Sequence, residues 1–156
     1  MNWVTINNQQ SALKEYHLMQ NDDYKMLLKY NPLQHSARFS CGGKYHRLFY
    51  FETMPQFSSK TIFTDQYGME TGSIVLDKIY SHDGTVWLDG KKLHYHLQDS
   101  PVPKLIVYES DPNHPIVSCS IATGNETALM NCFILGVCWY IFLQVAKENP
   151  VEYAHG

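Results

Sequence analysis

The twelve residues Cys132–Leu143 carry no charged side chain, and only Gly136, Cys132, Cys138, Trp139 and Tyr140 break an otherwise purely aliphatic and phenyl run. Extended outward, the run reaches from Thr127 to Ala146, with Asn131 and Gln144 as polar brackets. Thr123-Gly124-Asn125-Glu126 precedes it in the T-x-x-E pattern of a capping box, in which Thr and Glu satisfy orphan amide groups reciprocally. Lys147 follows in the last turn, where a cation complements the helix dipole, and Asn149-Pro150 ends the segment. The pattern predicts a helix over 125–147, of which Thr127 to Ala146 alone would be about 30 Å long at 1.5 Å per residue. It is apolar on every face, so it must be enclosed by protein or by lipid. A spanning helix uses about 20 apolar residues, whereas a stretch of 10–14 is more often a core helix. The flanks offer no basic cluster to orient an insertion. The segment is therefore assigned to a core, with Phe133, Leu135, Trp139 and Phe142 as its bulky members. The competing reading is a small domain tail-anchored in a membrane by residues 128–146.

What could enclose such a helix is legible upstream. From Tyr16 to Ile121 the chain reads as short strands near 16–20, 24–30, 36–40, 45–53, 60–64, 70–79, 84–89, 92–98, 104–109 and 115–121. Spacing of about 8–12 residues is the signature of an all-β sandwich or barrel. Side chains alternate with period two: Tyr24, Met26, Leu28 and Tyr30 share one face, as do Leu93, Tyr95 and Leu97, with Lys92, His94, His96 and Gln98 opposite. Asp89-Gly90 is a type I′ hairpin signal, and Asp83-Gly84 and Gly42-Gly43 read as further punctuation. No proline falls in mid-strand. The segment 1–14 is a polar extension or, through Trp3–Ile6, a first strand. With 156 residues and no linker, the chain fits one domain. The fold expected is mainly β: a closed antiparallel barrel of about twelve strands around a central hydrophobic C-terminal helix. Closure also removes sheet edges. A fluorescent-protein-type can needs a longer chain and a mid-chain helix.

This architecture resembles the tubby-like C-terminal barrel superfamily, which includes tubby, the phospholipid scramblases and the LURP-one-related proteins. The phrase Lys60-Thr61-Ile62-Phe63-Thr64-Asp65-Gln66-Tyr67-Gly68-Met69-Glu70-Thr71-Gly72-Ser73-Ile74 is similar to the family's strand–turn–strand text: an apolar pair, Asp-x-x-Gly, then Gly-x-Ile. Tyr45-His46-Arg47-Leu48-Phe49-Tyr50-Phe51 resembles the aromatic strand before it. The resemblance covers residues 16–146 and implies a barrel around a helix and association with membrane lipids. It does not extend to the family's functional residues. The paired basic segment with which tubby binds phosphoinositide has no counterpart here. The scramblases' acidic calcium-binding stretch is reduced to Glu126.

Chemistry is sparse. A net charge of −3 argues against nucleic acid as a partner. G-x-S-x-G, H-E-x-x-H, P-loop and dinucleotide fingerprints are absent, so no enzyme activity and no cofactor are assigned. His94 and His96 have a two-residue spacing that metal ligands use; a third ligand would have to come from His46, His82 or His114 through folding, and no metal is assigned. Cys41, beside Gly42-Gly43 and Lys44, reads as an exposed thiol. Cys119, Cys132 and Cys138 complete the cysteines, and with no leader pattern at residues 1–7 a reducing, cytoplasmic setting is expected, with membrane association. The basic pairs Lys44/Arg47 and Lys91/Lys92 are the candidates for contact with anionic lipid headgroups. A protein partner bound by the barrel as a scaffold is the alternative.

Overall fold

The computed structural model describes residues 1–6, 12–54, 60–78, 82–99, 101–121 and 127–148, the side chains of the last segment through Ala146. Eleven strands run β1 (Asn2–Ile6), β2 (Lys14–Gln20), β3 (Asp23–Asn31), β4 (Ser36–Cys41), β5 (Tyr45–Thr53), β6 (Lys60–Thr64), β7 (Glu70–Leu76), β8 (Asp83–Leu88), β9 (Lys91–Gln98), β10 (Lys104–Tyr108) and β11 (Val117–Ser120). A single helix, α1 (Thr127–Glu148), follows. Each strand pairs antiparallel with the next, and β1 returns to β11 to close the barrel. Trp3–Ile6 does form a first strand, which brings the ten strands read between Tyr16 and Ile121 to eleven, close to the expected twelve. The barrel is not wholly antiparallel. In an up-and-down sheet, strands one and eleven point the same way, so closing an odd number leaves one parallel seam. That seam is β1–β11, with Asn2 opposite Ser120. The pairing of the start of β1 with the end of β11 reflects the stagger that tilted strands accumulate around a closed sheet.

The meander gives the barrel two distinct mouths. The turns at Asn21–Asp22, Gly42–Lys44, Asp65–Met69, Asp89–Gly90 and Glu109–Ile116 lie at the lower one. The helix starts at the upper mouth, where Thr127 and Ala128 meet His35 and Thr53, and ends at the lower one, where Phe142 lies under Lys91. Every residue from Cys132 to Ile141 is buried. These ten residues make nearly three turns, so no face of the helix looks outward. Although long and apolar enough to cross a membrane by length and composition, this segment is packed inside the barrel. The proposed capping box at 123–126 and the stop at Asn149-Pro150 fall outside the described residues. Phe133, Leu135 and Trp139 are core, as expected; Phe142 is only partly buried, because the helix is already leaving the barrel there.

Inward-facing side chains fill the space between wall and helix. Trp3 stacks on Phe133 at 5.2 Å, Tyr16 meets the same ring edge-on at 5.0 Å, and Phe39 and Trp139 approach at 6.0 Å. Gly136 sits where the wall comes closest: a Cβ there would lie 2.7 Å from Phe39 Cε1 and 3.0 Å from Trp3 Cζ2.

Local chemistry matches the strand ends well. Asp89 and Gly90 have φ of 53° and 79°, the paired positive values a type I′ hairpin requires. Two expectations are corrected. Tyr24 does not share the inner face of Met26, Leu28 and Tyr30. The register slips between Leu18 and Met19, so Tyr24 pairs with Met19 and turns outward against the His17 ring. Asp83-Gly84 is not a turn but the start of β8, and Gly84 is required because the Tyr95 ring occupies the space of its missing Cβ.

Two predictions follow from this packing. Ala at position 136 would gain about 1 kcal/mol of helix propensity, but the close rings cannot yield without moving the wall. Gly136→Val is expected to lose about 1–3 kcal/mol by overpacking, lowering Tm by roughly 2–4 °C per kcal/mol in thermal melts. An unchanged Tm would show that the helix is not enclosed at this point. Burial also pushes the Cys119 and Cys138 thiols up to about 12. The folded chain thus holds protons that the unfolded chain releases above its ordinary thiol value near 9. This stability is complete below pH 9 and is lost as pH rises toward 12. Melting at stepped alkaline pH should show Tm falling in that window. Cys119→Ala/Cys138→Ala should flatten the fall.

Candidate functional site

The lower mouth gathers the basic side chains that the sequence analysis singled out. Lys44 lies in the β4–β5 turn, Arg47 near the start of β5, and Lys91 and Lys92 open β9. Arg47 shares the inward register of Phe49 and Phe51. From there its guanidinium crosses the mouth to Asp89 in the β8–β9 turn, with Nη1 donating to Oδ2 at 2.5 Å and Nη2 to Oδ1 at 2.6 Å. The same guanidinium lies 4.6 Å from the Phe49 ring centroid. The fork geometry of arginine suits both contacts. Lys91 Nζ lies 5.3 Å from the Phe142 ring and Lys92 Nζ lies 5.2 Å from the Trp87 ring. Arg47 is therefore committed to an ion pair, while Lys44, Lys91 and Lys92 are exposed.

Exposed apolar side chains collect at the same end. Tyr67 is 81% and Met69 66% exposed in the β6–β7 turn, and Trp87 is 44% exposed at the end of β8. The β6–β7 turn is held by its own hydrogen bonds. Asp65 Oδ1 accepts the N–H groups of Tyr67 at 2.8 Å and Met69 at 3.0 Å, and Gly68 takes φ of 78°. Gly72, next along, permits close approach: a Cβ there would run into the Trp87 carbonyl oxygen. Acidic groups are interspersed on this rim. Asp65 is directed at its own turn and Asp89 at Arg47. Asp111, in the β10–β11 loop, has its carboxyl held below the usual range by the Asn113 N–H and by His114.

His94 and His96 are both on the outer face of β9, but each is engaged separately. His94 Nδ1 pairs with Thr85 Oγ1 at 3.1 Å and stacks on Tyr108, and His96 Nδ1 lies 2.7 Å from Asp83 Oδ1. Among the described residues no group of three or more His, Cys, Asp and Glu is placed to hold a metal ion. Cys41 is not an exposed thiol. It faces inward at 4% exposure, and its Sγ donates to the Lys25 carbonyl at 3.3 Å. Its strand register, alternating with Phe39, puts it inside.

The upper mouth holds a cleft of about 520 Å³ between the first turn of the helix and the β5–β6 pair, lined in part by Phe51, Thr53, Thr61 and Asn131. Sequence reasoning treated Asn131 only as a bracket of the apolar run. It likewise missed Asp89 as the partner of Arg47, although an arginine in phase with Phe49 and Phe51 signals a charge pointing inward at a strand end. No protein-family model, curated protein or solved structure matches this chain.

The Arg47–Asp89 pair is half-exposed, so its strength should be modest. A double-mutant cycle with Arg47→Ala and Asp89→Ala is expected to give a coupling of about 1 kcal/mol or less, shrinking in high salt. A coupling that ignores salt would place the pair in a far drier setting than its exposure indicates.

Proposed function

We propose that this barrel is a non-enzymatic, membrane-associated module whose lower rim meets anionic lipid headgroups. The observation that carries the reading is the convergence of Lys44, Lys91 and Lys92 with the exposed Tyr67, Met69 and Trp87 at one mouth. A peripheral membrane surface combines these two elements: cations for headgroups and amphipathic or apolar side chains for the interface. The tubby-like resemblance supports the same direction at the level of architecture, while the lipid-binding residues of that superfamily are not matched. The four cysteines, all buried and none in a disulfide, agree with a reducing, cytoplasmic setting.

The test is co-sedimentation with vesicles of phosphatidylcholine alone or mixed with phosphatidylserine. Binding should require phosphatidylserine and fall as salt rises. At about 1 kcal/mol per basic residue near a charged surface, Lys91→Ala/Lys92→Ala should weaken it roughly thirtyfold. Lys44→Ala, far from the helix contact of Lys91, checks that the loss is not a packing defect. Absence of binding at low salt rejects the proposal and leaves the protein-scaffold reading, in which the same apolar rim docks a protein.

A further inference from the structure

We infer that the upper mouth of the barrel is a binding site for a small neutral molecule that presents a carboxamide- or lactam-type edge. The inference is independent of the lower rim. Its first support is the cleft itself, whose volume of about 520 Å³ lies within the usual range of about 300–1,000 Å³ for small-molecule sites. Its second is Asn131. This side chain is 9% exposed and belongs to the helix, yet it lines the cleft. Its Nδ2 donates to Thr61 Oγ1 at 3.3 Å, the one hydrogen bond its amide makes among the described residues. A carboxamide has two donors and an acceptor oxygen with two lone pairs, so a donor and the acceptor remain open to the cleft beyond the bond to Thr61.

The lining decides the ligand's charge. Phe51 and Thr53 have the inward register of β5, and Thr61 faces inward from β6. Glu52 alternates with them along β5 and also lines the cleft, so the one carboxylate at its edge opposes an anion. Among the described residues that line the cleft there is no lysine or arginine to attract an anion. The partner of a carboxamide is an edge with an adjacent donor and acceptor. Phe51 and Ala128 offer the apolar surface for a flat body attached to that edge.

The rim is built ahead of any ligand. His35 takes φ of 51°, a left-handed conformation uncommon outside glycine. It is held there because the Phe51 N–H donates to its carbonyl at 2.8 Å. Asn31 Oδ1 accepts the N–H groups of Leu33 at 3.1 Å and Gln34 at 3.3 Å, which fixes the same turn.

Nicotinamide is a suitable probe, being flat and neutral with a primary carboxamide; nicotinate carries the same ring and a negative charge. Titration of the full chain, followed by side-chain amide NMR, should shift the Asn131 resonances saturably with nicotinamide. Nicotinate should bind at least about tenfold more weakly, the loss of one well-placed hydrogen bond. Asn131→Leu should abolish the nicotinamide response seen by ligand-detected saturation transfer, with the barrel's Tm retained or raised. Ala128→Met, which fills the cleft without touching the amide, should do the same and covers the case in which Asn131→Leu fails to fold. No saturable binding of nicotinamide at about 10 mM, near the weak limit for a fragment, overturns the inference. So does equal binding by the Asn131→Leu variant, or tighter binding of nicotinate.

Discussion

Everything in this molecule depends on enclosing a helix that has no polar face. An amphipathic helix can lie against one sheet and leave its other side to water. The segment Cys132–Ile141 has no such side, so a single open sheet would strand apolar surface at roughly 25 cal/mol per Å². A wall on every side is the solution within one chain of this size. Small barrels of about eight strands are filled by their own side chains. Eleven strands leave an axis wide enough for a helix about 10 Å across. The helix is thus both cargo and filler: without it the eleven-stranded wall would surround a void, and without the wall the helix would meet water.

The enclosure also explains where the tight spots fall. Trp3, on the first strand, and Phe39, on the fourth, both reach Gly136, so one missing side chain on the helix accommodates two rings from well-separated parts of the wall. The first strand matters for a second reason, since it carries the parallel seam that closes the barrel. Parallel pairing is slightly weaker per residue than antiparallel, and β11 is only four residues long. The stack of Trp3 on Phe133 anchors β1 to the helix at this weakest seam. Closure and core packing are one event rather than two.

Much of this was legible in the sequence because both signals are local. Hydrophobic period, turn chemistry and the unbroken apolar run identified the strands and the helix within a few residues. What escaped detection depended on register or on distance through space. Tyr24 follows the alternation of Met26 and Leu28 on paper, and only the slip beside Leu18 turns it outward. Gly84 resembles a turn glycine until the Tyr95 ring is seen in its place. Cys41 looked exposed because two glycines follow it, yet the inward phase of Phe39 runs through it. Arg47 and Lys44 stand out in the sequence by charge alone; that Arg47 meets Asp89 forty-two positions away depends on the closing of the mouth, which no local pattern encodes.

The two mouths consequently differ in kind, and the difference follows from the direction of the helix. Its last turns rise out of the lower mouth, where the carbonyl end of the dipole favours cations; Lys91 stands over Phe142 and the Arg47–Asp89 pair bridges the opening. Charge collects there because the core is already sealed by the aromatic rings beneath. At the upper mouth the helix has just begun, and threonines and Asn131 stand beside the Phe51 ring and leave a cleft. There the packing is incomplete and no described lining residue is a lysine or arginine. A rim of charged and aromatic side chains and a recess lined by small polar ones are therefore separate consequences of threading one helix through one barrel in one direction.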